Sequence, residues 1–334
     1  MVGTVLLVRS DGAPVLAWNA ATGAAEDLRV SLDYERFLLE EHLQGWSLTP
    51  EVHDGHALVK LSYRTALGLY CTATGEHMAT IAEDDDRIAL SPDGKLLACS
   101  GSNEPVVVEL YDRATRTRVA VFERHTRVTA LAFSPNCDLL AVGGDSEEKE
   151  TIVYKLETGS QLWSFEGPEG WTKVILFSPD SARLYSSGGD EFVRVFSCES
   201  GCKLFEIMCP VSGHLTMFVD YVALSRHGNI LATVPGDETS IMLWDAQSGS
   251  HRRTISDNRF KYISGVAFSP DARRVVVIFN FGEAACFVDT TTGSIVGSLA
   301  TTNHRSFLDG CSFTTSPLQR SSPPYRIGSV NETT

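Results

Sequence analysis

The chain has little that would mark it for a membrane, a secretory route or a nucleic acid. No apolar run in its 334 residues approaches the ~20 that a membrane helix needs. The stretch from Met1 to Arg9 has too short an apolar run, and no basic lead, for a signal peptide. Residue 2 is valine, which removes N-myristoylation. Basic residues are in deficit: 28 Lys and Arg against 42 Asp and Glu leave a formal charge of −14. Such a chain gains little from a phosphate backbone, so no nucleic-acid partner is expected. A disulfide framework is missing too, because the eight cysteines (71, 99, 137, 198, 202, 209, 286 and 311) are scattered. In a chain able to bury a large core they read as reduced, small apolar residues of the cytoplasm or nucleus.

Catalytic fingerprints are also lacking. There is no Gly-x-Ser-x-Gly, P-loop, His-Glu-x-x-His or dinucleotide signature. The run "CESGCKLFEIMC" followed by His214 offers Cys198, Cys202 and Cys209 in a zinc-like cluster. Two of those cysteines flank a turn, and strand alternation would point some of the ligands apart, so no metal is expected. The carboxylate runs Gly144–Glu150 and Glu83–Asp86 fall in turns without EF-hand spacing and read as solvated loops. His53 and His56 lie in or beside a hairpin turn. Neither a catalytic residue nor a cofactor is expected, and the chain is not expected to be an enzyme.

What is abundant is repetition. The stretch "VILFSPDSARLYSSGGDEFVRVFSCESG" (Val174 to Gly201) runs apolar, turns at Ser-Pro-Asp, runs apolar again, turns at Gly-Gly-Asp and alternates to an aromatic. The turn after an apolar run recurs at Thr49, Ser91, Ser134, Ser178, Ser225, Ser269 and Thr314, spaced 42, 43, 44, 47, 44 and 45 residues apart. A second signal keeps step, a strand ending in an aromatic or Val with a Thr/Ser-Gly turn five residues later, as in Trp18…Gly23, Tyr154…Gly159 and Trp244…Gly249. About four short strands per repeat of ~40–45 residues is the period of a propeller blade. The first strand of each repeat is apolar on both sides and is expected to be covered on both faces.

With Trp244-Asp245 as its one true Trp-Asp dipeptide, and Gly213-His214 placed where a Gly-His pair belongs, the chain resembles the WD40-repeat β-propeller family. The resemblance implies an all-β fold: a single seven-bladed propeller of four-stranded antiparallel blades over residues 1–314. It also implies a network of His, Ser/Thr, Asp and Trp within each blade. Here no blade carries a full set; the quoted one has Ser186, Asp190 and Phe196 without a histidine.

The two signals are out of phase at the ends of the chain. Trp18 has no Ser-Pro strand before it, and Leu308 to Phe313 has no aromatic-ended strand after it. A shared blade built from both termini is therefore expected to close the ring, since an open one would expose two unpaired edges. The alternative is that Tyr325–Val330 pairs there instead. Residues 31–46 are expected to form a short amphipathic rim helix with Asp33 as its N-cap, and 315–334 a Pro/Ser-rich tail.

Residues leading into each innermost strand of a propeller ring one mouth of its channel. Here they are Arg87, Arg127, Trp171, Lys173, Phe218, Lys261, Tyr262 and Arg305, a basic and aromatic set on an acidic protein. Such side chains suit partner binding and the capture of an acidic or phosphorylated peptide. The expected function is a non-enzymatic protein-interaction scaffold, a monomeric propeller acting alone or within a larger complex. The alternatives are a propeller enzyme of hydrolase or lyase type with a channel site, and a permanent subunit of an assembly. A Phe/Leu-Arg-Arg-Gly lipid motif is not matched by "SHRRTIS", and Trp244-Asp245 lacks the arginine of Trp-Asp-x-Arg.

Overall fold

The computed structural model describes residues 85–101, 106–112, 115, 117–124, 127–145, 150–210, 218–236, 238–269, 271–279 and 284–300. It also describes the strand segments 4–9, 15–19, 25–28, 51–53, 56–61, 66–71, 77–80 and 308–314. The expected helix at 31–46, the tail at 315–334, His214 and Arg305 lie outside the described residues.

The described chain is all-β, and its strands pair into four-stranded antiparallel sheets, an arrangement consistent with a β-propeller. Sheet II comprises Glu51–His53, His56–Leu61, Ala66–Cys71 and His77–Thr80; sheet III comprises Asp85–Leu90, Leu96–Gly101, Val107–Asp112 and Thr117–Glu123. Sheet IV runs through Val128–Phe133, Leu139–Gly144, Glu150–Lys155 and Ser160–Glu166, and sheet V through Thr172–Phe177, Arg183–Gly188, Phe192–Ser197 and Lys203–Met208. Sheet VI holds Val219–Leu224, Ile230–Pro235, Ser240–Asp245 and His251–Ser256; sheet VII holds Gly265–Phe268, Arg274–Phe279, Ala284–Asp289 and Ile295–Ala300. In sheet I, Leu308–Thr314 pairs with Thr4–Arg9, which is followed by Val15–Asn19 and Ala25–Leu28. The first strands of sheets III to VII lie side by side in that order, followed by Leu308–Thr314 and then Glu51–His53.

The repeated Ser-Pro-Asp turn has a physical cause. Ser91 Oγ donates to Asp93 Oδ1 (2.7 Å) and accepts from the Leu96 amide (2.8 Å), closing the hairpin between the first two strands of sheet III. Ser269 with Asp271 and Arg274 repeats the pattern, and Ser134 uses Asn136. Ser225 lacks the proline and the aspartate, and there Asn229 accepts from the hydroxyl instead (2.9 Å). All of these serines are buried, so each hydroxyl needs its partners. Burial works against ionisation of Asp93, but the Ser91 hydroxyl, the Lys95 amide and the Lys95 ammonium outweigh it and hold the carboxyl at about 2. Three residues after the serine the chain turns left-handed, at Gly94, Cys137, Ser181, Gly228 and Ala272.

The apolar interior is a series of layers rather than one lump. Leu140 and Val142 pack with Val108, Leu110 and Phe122 of sheet III, while their neighbour Ala141 packs with Ile175, Leu184 and Phe196 of sheet V. Period-2 alternation thus sends successive side chains to opposite neighbouring sheets. Two further layers join sheets V with VI and VI with VII. The expectation of a first strand covered on both faces needs correction. Val128–Phe133 and Thr172–Phe177 alternate between buried and more open positions. The second strands are the ones buried throughout; Leu139–Gly144, Arg183–Gly188, Ile230–Pro235 and Arg274–Phe279 each have five of six residues buried. A second strand lies between two sheets on its faces and two strands at its edges, whereas a first strand has an open edge. Outer strands retain a single buried residue, such as Phe122 or Phe165.

Candidate functional site

The start of the first strand is built the same way in several sheets. Asp85 pairs with Gly101 but Arg87 with Ser100, so Asp86 is an extra residue; Thr129, Lys173 and Asp220 are extra in sheets IV, V and VI. Such a bulge bends the strand and re-aims a side chain. The sequence carries no obvious signal for it beyond its fixed distance from the turn serine. Once it is known, the expected mouth residues separate. Arg127, Trp171, Phe218 and Tyr262 each stand seven residues before their turn serine (Ser134, Ser178, Ser225, Ser269), and the first three stand two before the bulge residue of their sheet. Lys173 is itself a bulge residue, Arg87 follows one, and Lys261 precedes Tyr262.

Neighbouring sheets touch here. Arg87 Nε donates to the Thr129 carbonyl (2.6 Å), linking sheets III and IV, so part of this exposed side chain serves the framework. Thr151 and Thr172 hydroxyls meet at 3.3 Å between IV and V. Trp171 lies against Phe218, ring centroids 5.1 Å apart, and the Lys173 ammonium sits 5.3 Å from the centre of the Tyr221 ring, both joining V to VI. The Ile263 amide donates to the Glu238 carbonyl (3.0 Å) between VI and VII. Arg127, Lys173 and Lys261 are exposed, Phe218 is half-buried, and Trp171 and Tyr262 keep 39% and 52% of their surface open.

Trp171 is held by its backbone. Its carbonyl accepts from the Gly189 amide (3.0 Å), and a Cβ on Gly188 would sit 1.9 Å from that same oxygen. Only glycine allows the approach. Asp190, buried in the same turn, accepts from the Glu169 amide (2.9 Å) and forms a two-pronged pair with Arg194 (2.8 and 3.0 Å). The Gly-Gly-Asp turn therefore clamps the loop that carries the tryptophan.

Sheet VI holds part of the family-type network. Trp244 Nε1 donates to Thr233 Oγ1 (2.9 Å), and the Cys209 thiol reaches the same hydroxyl at 3.4 Å. The zinc-like cysteines are separated: Cys198 packs in the layer between sheets IV and V, Cys209 in the layer between V and VI, and Cys202 is exposed. Burial pushes the Cys198 thiol up to about 12 and Cys209 up to about 11, so both stay protonated.

Four-stranded antiparallel sheets whose first two strands meet at a turn serine, with layered cores between the sheets, define the class as propeller-like. A model of the family described as "WD domain, G-beta repeat" matches residues 116–147 and 159–197. Each match starts at the outer strand of one sheet and continues into the next, as a repeat staggered against the sheets would. The chain is similar to the WD repeat-containing protein slp1 of Schizosaccharomyces pombe, 29% identical over 49% of this chain and 33% of slp1. It is 25% identical to transducin beta-like protein 3 of Bos taurus, over 57% of this chain and 24% of that one. Cell division cycle 20.6, cofactor of APC complex, of Arabidopsis thaliana is 32% identical over 46% of this chain and 36% of its own length. The matched stretch thus spans between 24% and 36% of these relatives. The stretches 116–147 and 159–197 are thus repeats of the WD40 type.

Proposed function

We propose that the protein is a non-enzymatic interaction scaffold, a single closed propeller of seven blades whose mouth captures acidic or phosphorylated peptide segments of other proteins. The observation that carries the reading is the convergence of exposed Arg127, Lys173 and Lys261 with Trp171, Phe218 and Tyr262 at the starts of adjacent first strands, on a chain of net charge −14. The antiparallel register of Leu308–Thr314 with Thr4–Arg9 supports closure by one blade shared between both ends. Relatives described as a subunit of translation initiation factor 3 and as a cofactor of the APC complex support work alongside other proteins. The test replaces Arg127, Lys173 and Lys261 with Glu together. Affinity purification with this variant should lose the partners captured by the parent, while thermal melting stays nearly unchanged; equal capture by both would end the proposal.

A second reading, a permanent subunit, is favoured by the outer strands. Val119, Leu162 and Leu204 are exposed apolar residues at equivalent places, three before the buried Phe122, Phe165 and Ile207. They offer an apolar rim distinct from the basic mouth.

A further inference from the structure

The mouth is not uniform around its circumference. Its aromatic residues head the first strands of three consecutive sheets, Trp171 in V, Phe218 in VI and Tyr262 in VII, and the equivalent place in IV is Arg127. Within that sector the backbone is strained. Tyr262 has φ +53 and Glu238, across the junction between sheets VI and VII, has φ +51. A β-carbon is disfavoured in this region, and a large aromatic more so than Asn or Gly.

Tyr262 recovers little apolar burial for that conformation, since half its surface faces solvent. Its neighbours hold it there. Phe260 and Ile263 are buried on either side, the Phe260 amide donates to the Asp257 carbonyl (2.9 Å) and the Ile263 amide to Glu238. In the hairpin turns the left-handed places hold only small residues, Gly94, Cys137, Ser181, Gly228 and Ala272, whereas here the residue carries a large ring. Strain maintained at an exposed aromatic points to work done by its side chain. The tryptophan of the same sector is clamped from behind by Gly188, Gly189 and Asp190, so the backbone that carries each ring is held in place before binding.

We infer that the sector from Trp171 through Phe218 to Tyr262 is the anchoring half of the mouth, and that its occupant is an acidic peptide bearing one large apolar side chain. The anchor packs on the aromatic rings, and the carboxylates meet Lys173 and Lys261, exposed beside them. This rests on the mouth reading above and adds where the binding free energy is concentrated and what the peptide must carry.

The test uses short synthetic peptides in fluorescence polarisation with the full chain: Glu-rich with one central Phe or Leu, Glu-rich with Ala there, and Lys-rich with Phe. The parent should bind the first set and bind the other two about tenfold more weakly or worse. Trp171→Ala and Tyr262→Gly should each weaken the first set by about tenfold, with thermal melting confirming that each variant folds. Tyr262→Asn, which also accepts the left-handed region, repeats the measurement if the glycine variant folds poorly. Parent protein that ignores all three sets, or prefers the Ala or Lys peptides, overturns the inference. Unchanged affinity in the Trp171 and Tyr262 variants, with affinity lost in the triple Glu variant, sinks the sector assignment and leaves the mouth reading standing. Affinity kept in the triple variant as well removes both.

Discussion

Sheets V and VI occupy equivalent positions in the repeat yet hold their polar interiors differently. In sheet VI, Trp244 donates to Thr233, and Cys209 shares that hydroxyl. In sheet V the corresponding strands carry Phe196, which has no donor, and Ser186, whose buried Oγ makes no hydrogen bond among the described residues. Phe196 instead stacks on Phe165 of sheet IV, ring centroids 4.0 Å apart. The polar investment of sheet V lies at its end, in the Asp190–Arg194 pair and the Glu169 amide. One sheet is locked through its middle and the other through the turn beside the mouth. A repeat can therefore keep its shape while moving its polar lock, because layered apolar packing, shared by both, supplies most of the cohesion.

The comparison breaks most sharply at Asp190. Asp190→Ala strands Arg194, itself largely buried, and frees the Glu169 amide, so stability should fall by about 2–4 kcal/mol in denaturant titration. Hydrogen exchange at Glu169 to Trp171 should rise in step; a variant as stable as the parent would show that the turn is not the lock. In sheet VI, Thr233→Val keeps the shape but leaves the buried Trp244 Nε1 unpaired, for an expected loss of about 1–3 kcal/mol. The smallest effect has the opposite sign. Ser186→Ala removes a buried hydroxyl that has no hydrogen-bond partner among the described residues and should raise stability by up to about 1 kcal/mol. Thr233 and Ser186 variants that shift calorimetric melting in the same direction would erase the distinction between the two sheets.

Much of this was legible in the residues. The turn serines announce the hairpins because a buried hydroxyl, a carboxylate two residues on and an amide five residues on satisfy one another locally. The aromatic-ended strands are legible for the same reason: Asp245 accepts from the amides of Gln247 and Ser248, and Gly249 completes the turn left-handed. Burial was less legible. An apolar run such as Val174 to Phe177 looks as enclosed as Arg183–Gly188, and nothing within either stretch tells which will have an open edge. The site was legible as residue types near a strand start. That Arg127, Trp171, Phe218 and Tyr262 share one place can be read from their spacing to the turn serine, but that Lys173 stands on a bulge follows from pairing with another strand. Arg87, expected to face a partner, spends its Nε on Thr129 of the next sheet, a contact 42 residues away in the chain.

Local chemistry is thus written in the amino-acid order. Strand ends and turn geometry depend on groups within a few residues of one another, while the repeat, its period and the acid–base balance are properties of the sequence itself. The bulge, the left-handed Tyr262, the clamp behind Trp171 and the choice between a Trp244-type and an Asp190-type lock were decided only by the pairing of strands and the packing of sheets. Each of them arises where backbones distant in sequence approach closely enough to exclude a Cβ, strand a hydroxyl or bend a strand.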